Sequence, residues 1–258
     1  MRILTLARDL TRRKARDKSG LFVAEGIRTV EELLASKLDI TGAITCDLLD
    51  RTARGAALAA QLHARDVDVI RVSEREFLSA TDTENPQGVL AVASQPDATL
   101  DALTLQPVAR LLVLDGIQDP GNVGTLLRTA TALGAAATLV LPGTVDPWNA
   151  KVVRSAVGIM FRHLTISCTE EALFAFLRGN GVAMWGAAVE GRPVGDLVPP
   201  ARLALAVGNE GAGLKPSMRD ACEGLVALPM APGVESLNVA VAAGIALYAL
   251  RPPVRPPA

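Results

Sequence analysis

The chain has 258 residues, half of them hydrophobic and 3% aromatic, with 26 Lys and Arg against 27 Asp and Glu for a formal charge of −1. Such an apolar fraction excludes intrinsic disorder and suffices for one large core or two smaller ones, and the balanced charge leaves room for a local basic patch but not for a chain that coats polyanions throughout. Cys46, Cys168 and Cys222 stand in no disulfide or zinc spacing, no apolar run has signal-peptide form, and the longest, twelve residues at 239–250, falls short of a membrane span and suits a buried helix, so a soluble cytoplasmic protein is expected.

The first twenty residues carry Arg2, Arg8, Arg12, Arg13, Lys14, Arg16 and Lys18 against Asp9 and Asp17, a local net charge of +5. A solvated amphipathic helix explains this run. So does an arm that contacts phosphates, because clustered Lys and Arg gain affinity by releasing counterions from nucleic acid. Residues 21–26 then read as a strand and turn, 27–36 as a helix, 40–45 as a strand, 54–65 as a helix and 68–72 as a strand. A polar stretch, 81–88, leads into a further strand at 89–93. This alternation predicts a small α/β unit. Pro96, Asp97, Thr99 and Pro107 mark a linker. The expected organisation is therefore a first domain over 1–95, a linker over 96–109 and a second domain over 110–258.

In the second part, the apolar run 110–115 suits a central parallel strand covered on both faces. A polar turn follows at 119–122. The helix expected over 123–133 places Leu126, Leu127, Ala130 and Leu133 on one face, with Gly134 as its stop. Further strands are expected at 137–141, 164–166, 182–187, 203–207 and 225–228, and helices at 150–158 and 170–178. A last helix spans 236–250 and is stopped by Arg251-Pro252-Pro253. The result is an α/β fold with an open, mostly parallel sheet, whose ligands belong at the carboxyl ends of its strands.

Three loops at such strand ends could carry chemistry. In Asn122-Val123-Gly124-Thr125-Leu126-Leu127-Arg128, a helix beginning near Asn122 would be capped by that residue. Arg128, among apolar neighbours, calls for an anionic partner, and phosphate accepts a guanidinium bidentately. In Gly208-Asn209-Glu210-Gly211-Ala212-Gly213, three glycines directly after a strand mark backbone that turns sharply and meets something closely. The spacing is neither GxGxxG nor a phosphate loop. In the third loop, Leu228-Pro229-Met230 is followed by Pro232-Gly233 and then Ser236-Leu237-Asn238-Val239, with Ser236 read as the cap of the last helix and Asn238 in its first turn. None of the loops holds a carboxylate pair or a metal-ligand set. His63 and His163, a hundred residues apart, have no ligand spacing, and there is no G-x-S-x-G. What remains requires a bound organic cofactor and a cationic contact to an anionic substrate.

These three ordered motifs resemble those of the SpoU (TrmH-like) RNA ribose 2′-O-methyltransferases of the SPOUT superfamily, over about residues 110–250. The opening segment, with Phe22-Val23-Ala24-Glu25-Gly26 and Thr83-Glu84-Asn85-Pro86-Gln87-Gly88, resembles the family's L30e/L7Ae-like substrate-binding domain. The resemblance implies a trefoil knot, which general rules of chain connection would never suggest. It further implies a homodimer in which both subunits build each site. Its cofactor is S-adenosylmethionine, seated against Leu141, Gly208, Leu228 and Leu237, with Asn209, Gly211 and Met230 contributing from the second and third loops. Its catalytic set maps onto Arg128, Asn122, Glu210, Ser236 and Asn238. Arg12, Arg13, Lys14, Arg16 and Arg128 are the expected RNA contacts, and no metal is required.

The implied reaction is in-line attack of a ribose 2′-hydroxyl on a sulfonium methyl, with ribosomal RNA of the 23S type as the favoured substrate. A guanidinium has a pKa above ~12, so Arg128 is better suited to holding a phosphate and steadying an emerging alkoxide than to acting as a base. Three other readings remain open at this stage: a tRNA 2′-O-methyltransferase, a non-catalytic RNA-binding or ribosome-assembly protein of the same fold, and a nucleotide-dependent small-molecule enzyme on an ordinary doubly wound fold. The missing GxGxxG and the basic opening speak against the last.

Overall fold

A computed structural model describes residues 2–251; the Pro252-Pro253 stop expected after the last helix lies outside the described residues. In chain order the first elements are α1 (Arg2–Asp9), α2 (Arg13–Ser19), β1 (Leu21–Glu25), α3 (Ile27–Leu34), β2 (Ile40–Thr45), α4 (Ala53–Ala64), β3 (Val69–Arg71), α5 (Glu74–Leu78) and β4 (Val89–Ser94). Next come β5 (Ala109–Asp115), α6 (Pro120–Ala132), β6 (Ala137–Val140), α7 (Ala150–Ser155), β7 (Thr165–Ser167) and α8 (Glu170–Gly179). The last are β8 (Ala183–Pro193), β9 (Arg202–Gly208), α9 (Pro216–Asp220), β10 (Gly224–Ala227) and α10 (Val239–Leu250). Among the described residues no helix is long and apolar enough to cross a membrane.

The chain forms two compact units. One runs up to Asp97 and also takes in Asp146–Arg162; the other comprises Ala98–Val145 and the chain from His163. In the first unit the sheet order is β1-β4-β2-β3, with β4 antiparallel to both β1 and β2 and β3 parallel to β2. Leu4, Leu10, Val23, Ile44, Phe77, Leu90 and Val92 form the core on one of its faces.

The basic opening is two short helices, α1 and α2, because Arg12 is extended (φ −89°, ψ 129°) between them. Arg16 makes that break possible. Its Nη1 donates to the carbonyls of Leu10 and Thr11 at 2.8 and 3.0 Å, satisfying acceptors left over at the end of α1. Its Nε donates to Asp146 Oδ2 at 2.6 Å, and the residue is 2% exposed. Arg16 is therefore a structural cation, which corrects its expected role as a phosphate contact; burial leaves it no surface to offer. Arg12, Arg13 and Lys14 are exposed, with Arg12 paired to Asp9 and Arg13 lying 3.6 Å from Asp17.

Residues 146–162 fall within the second domain expected over 110–258, yet they pack with the first unit. Trp148 and Phe161 close on the buried Phe22, with ring centroids 4.7 and 5.5 Å away. Arg154 donates to Glu25 at 2.8 Å and Arg162 to Glu32 at 2.8 Å. Burial pushes the Glu25 carboxyl up, opposed by the Thr81 hydroxyl and the Arg154 charge. The helix expected over 150–158 stops at Ser155, since Val157 and Gly158 take φ of 54° and 71°. A β-branched residue in that region is strained.

The second unit contains a six-stranded sheet, β10-β8-β9-β5-β6-β7, in which every pairing is parallel. Central β5 is buried along its whole length, as its continuous apolar run requires. The stretch expected to be a linker is only partly one. Leu103, Leu105 and Ala109 are buried in the core of this unit, together with Leu111, Val113 and Leu139. The boundary falls at Asp97, where apolar side chains capable of packing resume. Helix α10 buries Ala240, Ala243, Ala246, Leu247 and Leu250 and leaves Val241, Ile245 and Tyr248 exposed on another face. Its last carbonyl, that of Leu250, accepts from the buried Arg110.

Candidate active site

The first loop folds around Asp119, not Asn122. Asp119 caps α6 by accepting from the Asn122 amide at 2.8 Å, and Pro120 occupies the first turn, where its missing N–H costs nothing. Asn122 thus lies inside the helix, and its side chain is released for other contacts. At the third loop the cap of α10 is Asn238 rather than Ser236: Asn238 Oδ1 accepts from the amides of Ala240 and Val241 at 2.9 and 3.3 Å. Both corrections have one cause. Several residues near a helix start can cap it, and sequence does not say which one is extended there.

In the second loop Asn209 makes its own turn. Its Oδ1 accepts from Gly211 and Ala212 at 3.0 Å each, its Nδ2 donates to Gly116 O at 2.9 Å, and its backbone exchanges two 2.9 Å hydrogen bonds with Gly213. The turn is so tight that a Cβ at Gly208 would lie 2.1 Å from the Gly213 carbonyl carbon, so no other residue fits there. Glu210 is left projecting from the turn. Its oxygens accept from the backbone amides of Gln118 and Asp119 at 3.3 Å each and from Asn122 Nδ2 at 2.9 Å.

Asn238 Nδ2 in turn donates to Asn122 Oδ1 at 2.9 Å. A single hydrogen-bonded chain, Asn238 to Asn122 to Glu210, therefore joins all three loops. Its direction is self-consistent, because Asn238 Oδ1 is occupied by the α10 amides and leaves only Nδ2 to donate. Burial would push the Glu210 carboxyl up, but the hydrogen bonds from Asn122 and from the Gln118 and Asp119 amides outweigh it and hold Glu210 below the ordinary carboxylate value. It is an anion whose lone pairs are already engaged, suited to positioning rather than to taking up a proton.

Sequence reasoning missed the far anchor of the second loop. The Lys215 amide donates to Asp115 Oδ2 at 2.8 Å. Lys215 Nζ lies 3.1 Å from Asp115 Oδ1 and donates to Glu170 at 3.0 Å and to Pro142 O at 3.1 Å. Asp115 is fully buried at the end of β5, so this ammonium compensates a charge that water cannot reach. The only sequence signal was an Asp closing an apolar strand and a Lys closing a glycine-rich loop.

A cavity of about 620 Å³ opens beside the loops. Gly208, Asn209, Glu210 and Gly211 form one wall, and Leu228, Met230, Ser236, Leu237 and Asn238 another. The end of β8, Ala187 to Glu190, and Arg219 of α9 complete it, and none of these was singled out from sequence. Apolar walls, a glycine where a side chain would intrude and a polar rim suit an adenosine-sized ligand, so the residues present fit S-adenosylmethionine. Three expected residues stand apart from the cavity lining, and one of them, Asn122, reaches its rim only through the hydrogen bonds to Glu210 and Asn238. Leu141 is 1% exposed within the core packing of the second unit and is not among the residues that line the cavity. Arg128 is exposed on α6 and has no hydrogen-bond or ion-pair partner among the described residues. It borders a second groove, of about 440 Å³, with Thr125, Thr129, Gly244 and Tyr248.

Comparison with known proteins adds to this geometry. Residues 109–248 match the family model of the SpoU rRNA Methylase family, and residues 4–91 match that of the MRM3-like substrate binding domain. The chain is 34% identical over 240 residues to the 23S rRNA (guanosine(2553)-2′-O)-methyltransferase RlmP of Bacillus subtilis, covering 93% of this chain and 92% of that one. Among solved structures, the AdoMet-bound rRNA methyltransferase from Sinorhizobium meliloti superposes with a TM-score of 0.84 at 29% identity, over 96% of this chain and 93% of the other. The SpoU methyltransferase AviRb from Streptomyces viridochromogenes, in complex with AdoMet, gives a TM-score of 0.84 at 25% identity over 96% of each chain.

Proposed function

This chain belongs to the SpoU rRNA methylase family, and from that premise we infer that it is an S-adenosylmethionine-dependent enzyme that methylates a ribose 2′-hydroxyl of ribosomal RNA. Membership carries with it the trefoil-knotted SPOUT fold and an amino-terminal substrate-binding domain. The relatives named for methylating 23S rRNA act on guanosine, and we take a guanosine of 23S-type RNA, modified in the cytoplasm, as the target here. The observation that carries the assignment of roles is the Asn238–Asn122–Glu210 chain, which brings all three motifs to the rim of one cavity.

When bound, the cofactor supplies an electrophilic sulfonium methyl. Gly208 and the Asn209–Gly213 turn would admit its adenosine by close backbone approach, and Leu228, Met230 and Leu237 would hold it from the facing wall. Glu210 fixes the first loop to the second through Gln118, Asp119 and Asn122. Asn238 holds the start of α10 against that loop, and Ser236 presents a hydroxyl at the same rim. This is positioning: the fold supplies a preset geometry for attack and the cofactor the reactive bond. Arg128 would hold the phosphate beside the reacting ribose and steady the negative charge that grows on the 2′-oxygen as its proton passes to solvent water, while the sulfonium leaves as the neutral thioether. The first unit binds RNA through Arg12, Arg13 and Lys14.

Arg128 does not line the cavity of its own chain, and this supports a homodimer. The groove it borders takes in Tyr248 of α10, which with Val241 and Ile245 is an exposed apolar side chain at helical spacing, a face that a second copy would cover. Dimerisation about that face makes Arg128 part of a site built by both subunits. The deciding experiment transfers labelled methyl groups to a 23S rRNA transcript. Arg128→Ala is expected to abolish transfer and Arg128→Lys to fail with it, because an ammonium lacks the planar fork; both should still bind S-adenosylhomocysteine. Full methylation by Arg128→Ala would contradict the assignment.

A further inference from the structure

We propose that the Glu190–Arg219 pair at the rim of the Gly208 cavity reads the amino-acid head of the cofactor, Arg219 taking its α-carboxylate and Glu190 its α-ammonium. The inference rests on the cofactor assignment above and adds to it a pair of residues that no motif contains.

The argument begins with charge. Four charged side chains line the cavity, Glu190, Glu210, Glu235 and Arg219, three anions and one cation. S-adenosylmethionine carries a sulfonium, an ammonium and one carboxylate, two cations and one anion. Arg219 is thus the single lining residue with the charge and the bidentate geometry to take the carboxylate. Glu210 is already committed to Asn122 and two backbone amides.

Geometry supplies the second part. Strand β8 runs eleven residues, longer than its neighbours, and its register against β10 shifts between Leu225 and Val226. Gly191 makes this possible, because a Cβ there would sit 2.5 Å from the Val226 carbonyl carbon. The strand therefore carries Glu190 out to Arg219 of α9, where the two side chains pair while remaining 47% and 44% exposed. An ion pair that exposed contributes little to stability and exchanges partners readily. Side by side, a carboxylate and a guanidinium are the electrostatic complement of a zwitterion, so the amino-acid head can enter by pairing with both.

The test compares two ligands that share adenosine and a thioether but differ in the amino-acid head: S-adenosylhomocysteine, which has it, and 5′-methylthioadenosine, which does not. Binding of each to the full chain is measured by calorimetry for wild type, Arg219→Gln and Glu190→Gln. Losing a hydrogen bond to a charged group corresponds to roughly a 10- to 100-fold weakening. That loss is expected for S-adenosylhomocysteine with either variant, while 5′-methylthioadenosine binds both variants as it binds wild type. Equal losses for the two ligands would make the pair merely structural and overturn the proposal. So would unchanged S-adenosylhomocysteine binding, including the case in which Arg219→Gln weakens only RNA and the guanidinium belongs to a phosphate. If wild type binds neither ligand, the cofactor assignment itself falls, and the pair with it.

Discussion

Replacing Gly208 by Ala tests whether the cavity depends on the backbone turn that follows β9. The added Cβ would meet the Gly213 carbonyl carbon at 2.1 Å, the Leu214 nitrogen at 2.2 Å and the Gly213 oxygen at 2.3 Å. All three are backbone atoms, so no side chain can swing aside. The 209–214 turn must retreat by ~1 Å or more before carbon–carbon separation approaches its optimum. Overpacking of this kind costs about 1–3 kcal/mol of stability. The functional cost is larger, since Glu210 rides on the displaced turn and a 1 Å misplacement costs on the order of 10²-fold in rate. Calorimetric binding of S-adenosylhomocysteine should weaken at least tenfold, kcat/KM for methyl transfer should fall by ~10²-fold, and thermal unfolding should shift only modestly. A Gly208→Ala enzyme with wild-type cofactor affinity would show that the turn is not the cofactor's wall.

The two kinds of arginine in the opening segment should separate cleanly. Removing Arg12, Arg13 and Lys14 together should lower the salt slope of RNA binding by about 2, at ~0.7–0.9 per phosphate contact, and leave unfolding unchanged. Arg16→Ala should instead cost ~3 kcal/mol or more by stranding Asp146; stability equal to wild type would refute its structural role. The buried His163, hydrogen-bonded to Thr138 at 2.8 Å, is pushed down by burial from 6.5 to about 4. A lowered His stabilises the fold above 6.5, and that contribution is lost as pH falls from 6.5 towards 4, by ~3 kcal/mol in all. Denaturant midpoints across that window should drop for wild type and flatten in His163→Gln; parallel profiles would contradict the assignment. Ile245→Asp with Tyr248→Asp should yield a monomer by light scattering that binds S-adenosylhomocysteine but does not methylate RNA, and a dimer that persists would move the interface elsewhere.

Why some residues were legible and others not follows from what each depends on. The tight turn at Gly208–Gly213 was legible because three glycines directly after a strand mark backbone that reverses sharply. Ser236 was mistaken for the α10 cap and Asn122 for the α6 cap, because the extended residue in each loop was Asn238 and Asp119. Leu141, just past the end of β6, packs into the core of the second unit, a burial set by tertiary packing rather than by motif position. Lys215 was invisible for the opposite reason: its partners Asp115 and Glu170 are 100 and 45 residues away in the chain.

The sequence by itself determined the alternation of strands and helices, the parallel second sheet and the three chemistry-bearing loops, since each is written in local periodicity or in a short run of neighbouring residues, while the class of reaction followed from the resemblance of those loops to the SpoU family's motifs. Only the tertiary structure decided that Arg16 is a buried tie to Asp146, that 146–162 packs with the first unit, and that Asn238, Asn122 and Glu210 form one chain. Those facts depend on which distant residues come within hydrogen-bonding distance, and that is settled by how apolar surfaces bury one another rather than by any local pattern.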